Sequence, residues 1–389
     1  MTATLGTLGP ATGTTRRPAP APLTPQVSLD PAAVRHNVRT LQAHTHAALM
    51  AVVKADGFGL GAAALARAAL DAGAQRLGVA TLAEARALRA AGVRVPLLCW
   101  LWHADDVVAL AAAVRSGVEV AVADLAHLAA VCAFAPGARV HLHLDTGLGR
   151  DGAEPERWDA LVAAARSAEL AGRVHVVGVM GHLAEGARPD AASTRHALAL
   201  MTSAVARAEA VGLRPRWRHL AATAATLHVP AAHGDVVRVG AGLVGIDPAG
   251  GGLLRPAGTL RTPILTVRAV RAGTGVGYGH TWVAAHDTRL GLLPLGYADG
   301  LPATAPGVAD VLVGRRRRPL VATCMDMAVV DLGAPDPRAP GVEQEAVVWG
   351  PGDHGEPTPR DWAGWAAVLE HQVLTGLGTR VRRVSSGAR

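Results

Sequence analysis

Lysine is almost absent. Of 38 basic residues in the 389-residue chain, Lys54 is the only lysine and the rest are arginine. Tyrosine is nearly as scarce, with Tyr278 and Tyr297 alone, and phenylalanine is limited to two residues. The three cysteines (Cys99, Cys132, Cys324) are odd in number and far apart, with no CxxC spacing. That excludes a disulfide framework and a cysteine-ligated zinc site, and points to a reducing compartment, the cytoplasm. No apolar run is long enough to span a bilayer. At 18% charged and 50% hydrophobic, the chain is neither disordered nor fibrous, and it is long enough for two to three domains or for one large barrel with an attachment.

The scarcity of lysine sharpens the reading of Lys54. Where arginine replaces lysine wherever it can serve, a surviving lysine marks chemistry that needs an amine with an accessible neutral form, which a guanidinium cannot supply. Lys54 ends the apolar run LMAVVK and opens a glycine-rich turn. The formal net charge of +7 and a pI near 10.4 could signal a nucleic-acid partner. The positive charge is scattered, however, and the one tight basic run, Arg315 to Arg318, has no aromatic interleaving. It reads as a solvated turn between strands. Residues 1–24, rich in Ala, Thr, Pro and Gly, read as a disordered leader. Arg16 and Arg17 are followed by PAPAPLTPQ, which is not the apolar segment of an export signal.

Between residues 50 and 240 short β-rich runs alternate with alanine-rich helical periods such as AAALARAALDAG and LAEARALRAAG. The runs are Met50–Val53, Leu77–Ala80, Pro96–Cys99, Val118–Val122, Val140–Leu144, His175–Met180, Arg216–Leu220 and Val236–Val239. Eight such units predict a parallel (β/α)₈ barrel of the TIM type over residues 25–255, with a doubly wound sheet as the runner-up. From residue 256 to 389, Pro- and Gly-punctuated strands predict a mostly β domain, with helix only near Asp361–Gln372.

In such a barrel the site lies at the carboxyl ends of the strands and phosphate sits after the last two. Lys54 then follows the first barrel strand, Asp145 and Arg150 the fifth (HLHLDTGLGRDG), and His182 the sixth (VMGHLAEG). Thr223 follows the seventh (HLAATAA), while Arg238, Gly240 and Ala241 close the eighth (VVRVGAG). A lone amine, a hydroxyl with bare backbone amides at the phosphate corner, and several cations suggest pyridoxal 5'-phosphate, held covalently by the lysine. A rival reading is a metal-dependent hydrolase, because His141, His143 and Asp145 alternate onto one face of a strand. That strand is the fifth rather than the first, and Arg238 is a poor neighbour for a cation.

With these motifs in hand, the chain from about residue 27 onward resembles the alanine racemases, fold-type III pyridoxal-phosphate enzymes. AVVKADGFGLG is similar to the family's cofactor-lysine motif. LDTGLGRDG, VMGHLAEG, HLAATAATL and VRVGAGLVGI follow in family order, and VGYGHTW, LPLGYADG, TCMDMAVVDLG and LTGLGTRVRR continue through the β domain. The resemblance implies an isomerase supplying D-alanine for peptidoglycan, with serine or another amino acid as the alternative substrate. It makes Lys54 and Tyr278 the two bases on opposite faces of the substrate, Tyr278 coming from the second subunit of a homodimer. It sets Arg238 at the pyridine nitrogen, Arg150 at the cofactor's phenolic oxygen and within reach of the substrate, and His182 against Tyr278. Thr223, Gly240 and Ala241 would hold phosphate, and the Met325 backbone amide would meet the substrate carboxylate. The chain departs from the family pattern in several places. Phe58 stands where a phosphate-bonding tyrosine is usual, and His371 where a second is, its protonated imidazole being the expected substitute donor. His143 replaces a lysine that is often carbamylated, Ala222 an asparagine and Leu60 a histidine. LPAT follows GYADG where an aromatic and an arginine are usual. One lost hydrogen bond to a charged group costs about 1.5–3 kcal/mol, roughly ten- to a hundredfold in affinity.

Overall fold

A computed structural model describes residues 24–248, 250–334 and 344–385. The leader expected over residues 1–24 lies almost entirely outside them. Eight parallel strands form one sheet: β2 (Ala48–Val52), β3 (Arg76–Val79), β4 (Leu97–Cys99), β5 (Val118–Val122), β6 (Ala138–His143), β7 (Val174–Met180), β8 (Trp217–His219) and β9 (Val236–Val239). They follow β1 (Gln26–Leu29) in the chain. The sheet order runs β8-β7-β6-β5-β4-β3-β2-β9. The last strand therefore pairs with the first, Met50 opposite Arg238. The β8–β9 seam is bridged by Asp235 N–H to Arg218 O at 2.8 Å and Arg238 N–H to Ala221 O at 3.0 Å. This is a nearly closed barrel, and a doubly wound sheet is ruled out by the β2–β9 pairing.

All eight sequence-predicted strands are present, with ends moved by a residue or two. Alanine-rich helices alternate with them because alanine forms helix well and lets a helix lie close to the strands beneath it. Four of their starts carry side-chain caps, Asp30, Thr81, Asp106 and Asp124 each accepting a first-turn N–H. Met50, Leu98, Ala121, Met180 and Val236 form an apolar cluster on strands of the barrel. Polar residues are buried among the same strands, His141 and His219 fully so.

The second unit is a mostly β domain. Strands β10 (Gly258–Pro263), β11 (Thr266–Val270), β14 (Thr288–Leu293), β15 (Asp310–Val313), β16 (Arg316–Thr323), β17 (Ala328–Asp331), β18 (Glu345–Trp349) and β19 (Arg382–Ser385) join in one sheet. Between them a small hairpin pairs β12 (Gly275–Val276) with β13 (Trp282–Val283). β1 belongs to the large sheet, antiparallel to β10 and parallel to β19. Residues 26–29 thus belong to the sheet of the β domain, from which the chain crosses into the barrel and returns, whereas the sequence reading places residues 25–29 with the barrel. The helix expected near Asp361–Gln372 is two short ones, Pro359–Ala366 and Glu370–Thr375. Gly314 and Arg315 turn between β15 and β16, so the basic run sits on a hairpin. Among the described residues no helix is long and apolar enough to cross a membrane.

Candidate active site

Lys54 leaves the end of β2 into an unusual turn. Ala55, Asp56, Gly57, Phe58 and Gly59 all have positive φ, between 50° and 80°. For the three non-glycine residues this conformation is costly, about 1–3 kcal/mol each, and persists only where the surroundings impose it. They do impose it. Glu84 accepts Ala55 N–H at 2.7 Å while capping its own helix through Ala80 and Thr81 N–H. Asp56 Oδ1 accepts Ala62 N–H at 3.0 Å. At Gly59 a Cβ would stand 2.2 Å from Leu374 O, so the turn lies directly on the helix Glu370–Thr375. Arg383 closes the clamp, donating to Gly59 O at 3.1 Å. The terminal motif LTGLGTRVRR is thus a wall of the lysine turn.

The Lys54 amine is partly buried, 5.9 Å from the centre of the Trp100 ring. Burial lowers its pKa, Arg150 and Arg238 lower it further, and Glu84 opposes them. The site concentrates cations that favour a neutral amine.

Arg238, on β9, is buried and spends its donors on neutral acceptors. Nη1 donates to His219 Nδ1 at 2.9 Å and to His219 O at 2.7 Å. Nη2 donates to Gly181 O at 2.6 Å and lies 3.2 Å from His182 Nδ1 and from Leu220 O. Burial, with Arg150, lowers even this guanidinium to about 10. His182 is pushed down to about 3 by burial and then by Arg238, Arg150, Lys54 and His143. It is therefore neutral, and because Nδ1 accepts from Arg238, its proton is on Nε2. Thr146 holds its backbone reciprocally, donating to His182 O at 2.7 Å and accepting His182 N–H at 3.1 Å.

At the corner expected from the sequence to hold phosphate, Thr223 Oγ1 accepts Gly242 N–H at 3.1 Å and Gly240 N–H at 3.4 Å. A hydroxyl that accepts two amides keeps its own O–H to donate. Ala241 begins the helical turn Ala241–Val244 beside them. Gly240 is glycine for a steric reason, since a Cβ would stand 2.8 Å from Phe58 Cζ. The Phe58 ring centre is 6.2 Å from that of His371. The two positions where phosphate-bonding tyrosines are usual are thus neighbours. Burial and Lys54 lower the His371 pKa, which disfavours the protonated substitute expected from the sequence. A neutral imidazole still offers one N–H. Arg150 lies in the exposed loop after β6, shaped by Asp145, whose Oδ1 accepts the N–H groups of Gly147, Leu148 and Gly149 at 2.9, 3.0 and 3.2 Å.

The structure does not bring every candidate together. Tyr278 is 84% exposed and Met325 60%, so neither packs into the barrel mouth of its own chain. Met325 sits with Tyr297, because Tyr297 N–H donates to Cys324 O at 3.0 Å and Ala298 N–H to Met325 O at 2.9 Å. The three residues of the metal alternative are committed elsewhere. His141 bonds Glu119 and His219, His143 lies 3.5 Å from Asp151, and Asp145 holds loop amides. Sequence reasoning missed Glu84, Trp100 and His219. A capping-box spacing, Thr81 to Glu84, announces the first. The other two occupy the carboxyl ends of barrel strands, the one signal that places them.

The geometry fits a net-positive centre for an anionic ligand bearing a phosphate. A family model described as alanine racemase, N-terminal domain, matches residues 29–248, and one described as alanine racemase, C-terminal domain, matches 257–385. The chain is 43% identical over 373 residues to an alanine racemase of Salinispora tropica, covering 94% of this chain and 99% of that one. It is 44% identical to one of Streptomyces coelicolor, covering 95% and 98%. The crystal structure of alanine racemase from D-cycloserine-producing Streptomyces lavendulae superposes with a TM-score of 0.88 at 41% identity, covering 95% and 99% of the two chains. The chain belongs to the alanine racemase family.

Proposed function

We propose that the protein is a pyridoxal-phosphate-dependent isomerase interconverting L- and D-alanine, acting as a cytoplasmic homodimer and supplying D-alanine for peptidoglycan. The observation that carries this reading is the placement of the lone lysine at the barrel mouth. Two guanidiniums, Arg150 and Arg238, act on its amine there, beside a corner of hydroxyl and backbone amides. That charge balance suits a ligand bearing phosphate and phenolate. Lys54 would hold the cofactor, Thr223, Gly240, Ala241 and His371 its phosphate, Arg150 its phenolic oxygen, and Arg238 its ring nitrogen. The bound cofactor supplies an electron sink for the carbanion left when the substrate Cα loses its proton.

This chain's residues then manage protons. Lys54 Nζ takes or returns one on one face of Cα, its neutral form favoured by burial and by Arg150 and Arg238. The opposite face needs a second base, and Tyr278 suits it only from a second copy of the chain, because in its own chain it faces solvent. His182, neutral with Nε2–H outward, would donate to the Tyr278 oxygen and hold it at the reacting carbon. The Met325 amide would fix the substrate carboxylate.

The test is proton NMR of the protein with pyridoxal phosphate and L-alanine in D₂O, followed by chiral analysis. Loss of the Cα proton with appearance of D-alanine is expected. Exchange without inversion would remove Tyr278 from the scheme, and no exchange with alanine, followed by exchange with serine, would change the substrate.

A further inference from the structure

Below Arg238, away from the barrel mouth, a line of buried polar groups runs toward the amino ends of the strands. Glu119 on β5 is 3% exposed, and His141 on β6 and His219 on β8 are fully buried. Glu119 Oε2 lies 3.0 Å from His141 Nε2. His141 Nδ1 lies 2.8 Å from His219 Nε2, and His219 Nδ1 lies 2.9 Å from Arg238 Nη1. At the far end Arg76 bonds Glu119 Oε2 and Arg139 Nε bonds Oε1 at 2.9 Å.

Hydrogens fit this line in one way. A carboxylate only accepts, so His141 presents Nε2–H to Glu119 and keeps a lone pair on Nδ1. A guanidinium only donates, so His219 presents the Nδ1 lone pair to Arg238 and carries its proton on Nε2, aimed at His141. Both rings are neutral and both are Nε2–H. The opposite tautomers would set N–H against N–H at Arg238 and a lone pair against the carboxylate at Glu119, where no bulk water can compensate. Burial pulls both imidazoles down, which keeps them neutral. Burial pulls Glu119 up, but the His141 hydrogen bond and the charges around it win and hold it near 2. The backbone makes room for the line. Strand β7 separates β6 from β8, and its Gly178 pairs with His141 on one side and Trp217 on the other. A Cβ at Gly178 would stand 2.2 Å from His141 Nδ1.

We propose that Glu119 and His141 are positioning residues of the reaction centre, setting the tautomer of His219 and through it the orientation of Arg238. The inference rests on the reading of Arg238 as the partner of the cofactor's ring nitrogen. The guanidinium is thereby gripped by a neutral acceptor, so its positive charge is not cancelled at the mouth. The only carboxylate in the line is two imidazoles away, balanced by Arg76 and Arg139. The same orientation turns Nη2 toward His182 Nδ1, which leaves the His182 proton on Nε2. A carboxylate near the barrel floor thus decides which nitrogen of His182 faces the substrate side.

Nitrogen-15 NMR of histidine-labelled wild-type protein without cofactor tests the line independently of activity. His141 and His219, identified by loss of signal in His141→Phe and His219→Phe, should each show a protonated Nε2 and a bare Nδ1 at neutral pH. A protonated Nδ1 on either overturns the proposal. The cofactor-loaded protein gives the second readout. Glu119→Gln should shift the visible absorption of bound pyridoxal phosphate and lower kcat for L-alanine about tenfold with KM nearly unchanged. Glu119→Asp, which keeps the carboxylate, should recover part of that loss. A Glu119→Gln protein that loads cofactor with an unchanged spectrum and unchanged kcat also overturns it, whatever its Tm. Absence of any chromophore in the wild type would instead sink the cofactor assignment and leave the tautomer result standing.

Discussion

At the scale of single residues, the site works by removing alternatives. Lys54 has no other lysine to substitute for it, so borohydride reduction in the presence of pyridoxal phosphate should label one internal peptide, the one containing Lys54. Lys54→Arg should label none and lose activity by at least about three orders of magnitude, since a guanidinium stays protonated. Labelling elsewhere in the interior would refute the assignment. Phe58 is the clearest departure from the family pattern, its ring tip against Gly240. Phe58→Tyr puts a hydroxyl at the phosphate corner and should tighten cofactor binding about tenfold by equilibrium dialysis. An unchanged or weaker affinity would mean that the corner is already satisfied by Thr223 and His371.

At the scale of elements, the left-handed turn Lys54–Gly59 is the part that a local reading of sequence could not supply. Its glycines announce a turn, and Asp56 tolerates positive φ, but Ala55 and Phe58 have no local reason to adopt it. The reason is tertiary: Glu84 on one helix, Leu374 on another and Arg383 from the last strand hold it. Gly59→Ala adds a Cβ against the Leu374 carbonyl and strains a φ of 80°. We expect a loss of at least about 2 kcal/mol in denaturant unfolding, with faster proteolysis at the C-terminal segment. Full stability in that variant would contradict the clamp. The barrel strands, by contrast, were legible, because eight apolar β-rich runs spaced by alanine-rich helices leave few other folds.

For the whole molecule, the two bases of the proposed scheme lie on different surfaces. Tyr278 stands 84% exposed on the β domain while Lys54 lies in the barrel mouth. If the site is shared between copies, mixing inactive Lys54→Ala and Tyr278→Phe proteins and allowing exchange should restore about a quarter of wild-type activity, because half the dimers carry one intact site of two. No recovery after verified exchange would argue against sharing. The buried titratable groups also set a pH dependence for the cofactor-free protein. His182 is lowered from 6.5 to about 3, so below pH 6.5 the unfolded chain binds a proton that the folded chain refuses. Glu119, lowered from 4.5 to about 2, acts in the same direction further down. Stability is full above about pH 6.5 and falls as pH drops toward 3. Tm measured from pH 7 to pH 4 should decline, and a flat profile would refute this account.

What the sequence determined by itself was the barrel, the mostly β second unit and the family, because these are written in local periodicity, in glycine-rich punctuation and in motifs that follow one another in family order. Residues 26–29 escaped that reading, since a four-residue strand carries no mark of the sheet that it joins, and β1 pairs with β10 and β19, more than two hundred residues away. The line from Glu119 to Arg238 escaped it too. Its members come from four strands, and only closure of the barrel, with Gly178 opening a path beneath β7, brings their nitrogens and oxygens within hydrogen-bonding distance. Spacing along the chain decides which residues reach the interior of the barrel. Which of them then share a proton is decided by the tertiary structure, because burial leaves each polar group no partner but its neighbours.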